Sequence, residues 1–134
     1  MHPTHALANR DSLSIKDLSG FPMINFSPQA NPITSDFNKQ IFKKAGAQLN
    51  IVREIPNIET AAFCASINEG VFIMPEYLLS SIGSLRTVPL TDSFAYVTLN
   101  LIWKKKNPNI SIPVFVDSFS TYIQNRNPNL APAD

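Results

Sequence analysis

The chain has 134 residues, 44% of them apolar, which suits one domain with a buried core and does not suit a disordered polymer. Its 11 basic and 10 acidic residues leave a formal charge of +1, which argues against holding nucleic acid by its own surface. The single cysteine, Cys64, cannot form an internal disulfide, and no apolar run approaches the ~20 residues of a membrane span. Met1 to Arg10 has no apolar stretch, so no secretory signal is expected and the cytoplasm is the expected location.

Ser14 is a candidate cap for a short helical turn to Leu18. Phe21 to Phe26 reads as a strand with Pro22 at its start, where a missing N–H is tolerated. A loop with Pro28 and Pro32 follows. A helix is then expected over 33–45, capped by Thr34 or Ser35, with Asp36 in its first turn. Phe37, Ile41, Phe42 and Ala45 form its apolar stripe, and Gly46 is the expected left-handed residue after it.

Residues 48–54 alternate and read as a strand near an edge, with Leu49, Ile51 and Arg53 on one face. Asn57 caps a second helix over 58–67, whose stripe of Ile58, Ala61, Ala62 and Ala65 permits close approach to a sheet. Asn68 and Gly70 end it, both tolerant of positive φ. Val71 to Met74 reads as a buried strand, and Pro75 opens a short helix to Ile82. Residues 85–90 are extended, and 91–93 form a turn. Phe94 to Trp103 is the longest strand pattern, and Ile112 to Ile123 has a clear helical period. Asn125 to Asp134 reads as a tail. The expected order is β-α-β-α-β-α-β-β-α, an α/β layer structure with a largely parallel sheet.

Ligands of such sheets bind beyond the carboxyl ends of the strands. Three loops should meet there: Ser27 to Asn31, Pro56-Asn57, and Met74 to Glu76. Each leads into a helix N-terminus, where free N–H groups favour anions. Ser27, Gln29 and Asn31 add neutral hydrogen-bonding groups. The rim is therefore expected to take a small molecule bearing a carboxylate. The same residues also serve as caps and turn formers.

Chemistry by a reactive side chain has less support. Cys64 lies mid-helix beside Phe63 and reads as a buried small hydrophobe. His2 and His5, separated by Pro3 and Thr4, lack the Cys, Asp or Glu that would complete a metal site. No phosphate-binding glycine loop or nucleophile elbow occurs. No enzyme activity, metal or cofactor is expected. Lys104-Lys105-Lys106 beside Trp103 reads as a soluble strand end.

Several segments, in order, resemble the effector-binding domain of LysR-type transcriptional regulators. They are His5 to Ala8 with Ser12 to Leu18, Phe21 to Ile24, Ala45-Gly46 before an alternating strand, Ile67 to Pro75, and Trp103 to Lys105 before a closing helix with Phe119. The resemblance covers about residues 5–123. Ala6 stands where the family usually has Pro. Asn68 stands where Gly is usual, an exchange that Asn makes at little steric cost.

The resemblance implies a type 2 periplasmic-binding-protein-like α/β fold, in which two subdomains joined by crossing strands hold an effector in the cleft between them. The chain would then comprise a crossover segment (1–12), the second subdomain (13–93), the returning strand and closing helix of the first (94–124), and a tail (125–134). The family's winged helix-turn-helix and linker helix are not among these residues, nor is the first half of the first subdomain, so the fragment is expected to be truncated and to bind ligand weakly. DNA would be reached only through that N-terminal domain. Carried over by position, the ligand-binding residues are Phe26, Ser27, Pro28, Gln29, Asn31 and Tyr96, with Phe94 nearby. The implied partners are a small anionic effector and further copies of the chain, with no membrane. The alternative is a stand-alone cytoplasmic small-molecule-binding protein of the same fold. Leu99, Leu101, Trp103, Phe115 and Phe119 would lack their usual cover, so self-association is expected.

Overall fold

Ser14 and Asp17 show how closely local chemistry sets this backbone. The Ser14 hydroxyl accepts from the Asp17 N–H at 3.3 Å, and the Asp17 carboxylate accepts from the Ser14 N–H at 2.8 Å. This capping box starts a 3-10 helix over Ile15–Leu18. The structure is a computed structural model that describes residues 1–98, 100–104 and 106–126. They fall into two units divided after Thr98.

In the first unit β1 (Pro22–Phe26) pairs in parallel with β2 (Asn50–Ile55). On the other side of β1, Met23 bridges Val71, so β1 lies between its two neighbours. Val71 N–H donates to Pro22 O at 2.9 Å, and Ile24 N–H donates to Val71 O at 2.7 Å. This approach explains Gly70. A Cβ there would stand 2.7 Å from Pro22 O, closer than carbon and oxygen can pack. Of the two residues tolerant of positive φ, Asn68, with φ of 61°, is the left-handed residue after the helix, and Gly70 does not use that freedom. The expected strand 71–74 is reduced to the bridge at Val71, and Phe72 turns into the core.

α1 (Pro32–Ala45) begins one residue earlier than expected. Pro32 drives Asn31 out of helical conformation and makes it the cap. The Asn31 Oδ1 is the cap, rather than Thr34 or Ser35, and accepts the first-turn N–H of Thr34 at 3.0 Å. The earlier start also places Asp36 beyond the first turn. Gly46, at φ 63°, closes the helix as expected. α2 (Ile58–Ser66) is capped by Asn57, which accepts from the Thr60 N–H at 2.9 Å.

β2 departs from its expected alternation. Met23 pairs with Ile51 and Ile24 with Arg53, leaving Val52 as a bulge residue. Paired residues share a face and neighbours on a strand do not. Ile51 and Arg53 therefore face opposite ways, not together as simple alternation requires.

The same period of two divides the core. Met23 joins Ile41, Phe42 and Ala45 of α1 with Leu13, Ile15 and Leu18, while Ile24 joins Ala61, Cys64 and Ala65 of α2 with Ile55, Phe72 and Ile82. The helices thus cover opposite faces of the sheet. Glu76–Ser81 is a 3-10 helix, not an α-helix, with Pro75 as the residue before it. In the extended stretch 85–90, Leu90 bridges Leu13.

The expected strand 94–103 is absent among the described residues. A strand exists through hydrogen bonds to a neighbouring strand, and no described residue of this stretch takes part in a ladder or bridge. In the second unit α3 (Ser111–Arg126) includes the expected helix and runs three residues past it. Asn125 and Arg126 of the expected tail belong to α3, while 127–134 lie outside the described residues. Phe115 and Phe119 stack on the surface of α3 with ring centroids 5.8 Å apart. Among the described residues the observed order is therefore β-α-β-α, then α3, with two isolated bridges and fewer strands than the pattern suggests.

Candidate functional site

The three loops expected to meet do so around one cleft of about 320 Å³. Phe26, Asn31 and Thr34 reach it from the end of β1 and the start of α1. Pro56, Asn57, Ile58 and Glu59 reach it from the end of β2 and the start of α2. Met74, Pro75, Tyr77 and Leu78 close the third side. All belong to the first unit.

Of the residues singled out in the sequence, Phe26 and Asn31 line the cleft. Ser27, Pro28 and Gln29 do not. The Ser27 hydroxyl accepts from the Ala30 N–H at 3.2 Å, and the Ser27 N–H donates to Ile55 O at 2.9 Å, so Ser27 ties the loop to the end of β2. Tyr96 is 72% exposed and also lies outside the lining. The sequence reading placed the Pro56-Asn57 and Met74 loops on the rim but did not select side chains there. The signal for the α2 side was local: Pro56 to Glu59 directly follow the last residue of β2 and open α2.

The helix starts add backbone polar groups to the side chains of Asn31, Thr34, Asn57, Glu59 and Tyr77 in the lining. N–H groups in the first turn of a helix have no acceptor within that helix. Asn31 and Asn57 each satisfy one, the N–H of Thr34 and of Thr60. Pro32 has none to give. The N–H groups of Ile33 in α1 and of Ile58 and Glu59 in α2 remain at the positive ends of the two helices. Phe26, Ile58, Met74 and Leu78 supply apolar wall. Glu59 is the one charged side chain in the lining.

Nucleophilic chemistry has its one thiol elsewhere. Cys64 is buried among the α2-side core residues. Burial pushes the Cys64 thiol pKa up, and its hydrogen bond to Glu69 adds to the rise. Such a thiol is a poor nucleophile and a poor oxidant sensor. No group of three or more His, Cys, Asp or Glu side chains stands together to hold a metal among the described residues. A second cavity, of about 80 Å³, is walled mainly by core side chains such as Leu13, Leu18, Ile82 and Leu90. Its one charged side chain is Arg86, whose Nε donates to Ala8 O at 2.8 Å. No described helix is long and apolar enough to cross a membrane.

No curated protein and no solved structure matches the chain. The family description "LysR substrate binding domain" matches residues 1–122. That span includes both helices that open on the cleft, the capping box and the Gly70 contact, and it extends well into α3. The chain therefore belongs to the LysR substrate-binding-domain family, whose members serve effector sensing in LysR transcriptional regulators and have a type 2 periplasmic-binding-protein-like α/β fold.

Proposed function

We propose that this chain senses a small organic anion for a cytoplasmic LysR-type regulator, taking the anion's carboxylate at the starts of α1 and α2. The observation that carries this reading is the convergence of two capped α-helix N-termini on one cleft with apolar walls. Backbone amides at helix starts favour negative charge without a basic side chain. The apolar wall suits a hydrocarbon body. Glu59 opposes an anion and makes the affinity modest. In the intact regulator, DNA is contacted by a separate DNA-binding domain, and copies of the chain associate.

Titration of the full chain with benzoate and succinate, read by amide NMR shifts, tests this. The expected result is saturable shifts at Ile33, Ile58 and Glu59, with Kd weaker than ~1 mM. Benzamide and succinamide should give far smaller shifts at the same amides. Glu59→Gln should tighten carboxylate binding severalfold. Ser27→Ala and Gln29→Ala should change it little, because neither side chain reaches the cleft. Equal responses to acids and amides, or shifts centred away from these three residues, would refute the reading.

A further inference from the structure

Beneath the cleft lies a polar cluster in an otherwise apolar core. Asn25, Ser35 and Asn38 are 1%, 0% and 3% exposed. The Asn38 Nδ2 donates to Asn25 Oδ1 at 2.8 Å, and the Asn25 Nδ2 donates to Ser35 Oγ at 3.4 Å. The Asn38 Oδ1 is buried with no protein partner. Burying such groups is costly, and an unpaired one most of all. Replacing all the partners together by apolar groups of the same shape can be nearly neutral for stability.

The location of the cluster suggests what it does. Asn25 precedes Phe26 and Ser35 follows Thr34, and both Phe26 and Thr34 line the cleft. The Asn25–Ser35 bond therefore crosses from the end of β1 to the first turn of α1, one residue below the cleft wall on each side, and the shorter Asn38 bond ties the next turn of α1 to the same strand residue. Apolar packing is non-directional and tolerates sliding of a helix over a sheet. An amide hydrogen bond weakens within a few tenths of an ångström and with misdirection.

We propose that Asn25, Ser35 and Asn38 are positioning residues: their buried hydrogen bonds fix where the first turn of α1 stands over the end of β1. This sets the spacing between the starts of α1 and α2, and the significance of that spacing for ligand rests on the cleft being the effector site. The placement itself is testable without any ligand.

The test uses the full chain in a Cys64→Ala background, with nitroxides attached through Ile33→Cys and Glu59→Cys, both exposed positions. Pulsed dipolar spectroscopy reads the distance distribution between them. The triple variant Asn25→Val, Ser35→Ala, Asn38→Leu removes the polar cluster and leaves no half-satisfied member. It should keep its thermal midpoint or raise it, while the distribution broadens about twofold. Hydrogen exchange should quicken at the Ser35 amide and stay unchanged at Phe42. An unchanged distribution would overturn the proposal. Loss of folding in the triple variant would also overturn it, because the cluster would then supply stability and not placement. Broadening alongside a failed carboxylate titration would sink the ligand reading and leave the positioning role intact.

Discussion

The two units each carry an apolar helical pattern and treat it differently. In residues 1–98 the pattern of α1 is consumed by packing, and Phe42 is 1% exposed. In the second unit α3 also has a helical apolar period, yet Phe119 is 43% exposed and Phe115 stacks on it in the open. α3 still forms, because an α-helix closes its hydrogen bonds within itself. The stretch 94–103 has the longest alternation in the chain and forms no strand among the described residues, because a strand's hydrogen bonds belong to its neighbours. Periodicity therefore predicts a helix more safely than a strand when the partner is not in view.

The largest expected effect tests that difference directly. Phe42→Ala should destabilise the first unit by about 3–5 kcal/mol, whereas Phe119→Ala should fall within about 0.5 kcal/mol, both read by urea unfolding. Comparable losses would break the comparison. Next in size is Gly70→Ala. The new Cβ meets Pro22 O, a backbone atom held by the Val71 bridge, so the strand contact must open. A loss of about 2–3 kcal/mol is expected, together with faster exchange at the Ile24 and Val71 amides. A neutral outcome would show that the bridge contributes little to the sheet.

These same features show what sequence can carry. Asn57, Gly46 and the Ser14 cap were legible because each acts within a few residues of itself. The meeting of three loops was legible from the rule about strand ends, and Phe26 and Asn31 line the cleft they form. The Val52 bulge was not, since it depends on register against β1. Nor was Gly70, whose constraint is a backbone 48 residues away in sequence, as the numbers of Pro22 and Gly70 show. The Asn25–Ser35–Asn38 cluster escaped for a related reason. Polar residues on a helix read as its wet face until the strand beneath proves to carry a polar residue at the same place.

A third prediction concerns the exposed face. Phe115 and Phe119 on α3, with Leu101 and Trp103 before it, offer apolar area to any second copy. At roughly 25 cal/mol per Å², covering such a face is a strong drive to associate. Sedimentation velocity of the full chain should show mass rising with concentration. Phe115→Ser with Phe119→Ser should weaken that association about tenfold, or ~1.4 kcal/mol, without moving the unfolding of the first unit. A chain that stays monomeric at high concentration would remove the premise that this face is left uncovered in solution.

The smallest expected effect is acid softening confined to the first unit. Arg53 donates through Nε to Glu69 Oε1 at 2.7 Å, and Nη2 contacts the same oxygen. These bonds, with one from the Cys64 thiol, hold the Glu69 carboxyl below its ordinary value of 4.5. The Ser14 N–H and hydroxyl likewise hold Asp17 below 3.8. A carboxyl whose folded pKa is depressed contributes stability above its unfolded value and loses it as pH falls through the folded one. Stability of residues 1–98 should therefore be level down to about pH 4.5 as far as these two groups decide it, then decline. The loss should be modest because both groups are partly solvated. Glu69→Gln should lower stability slightly near neutral pH and flatten part of the acid decline. If the variant instead follows the wild-type curve at every pH, the Arg53 pair joins β2 to the end of α2 in geometry alone, and the fold there rests on Ile55, Cys64 and Phe72 packing beneath it.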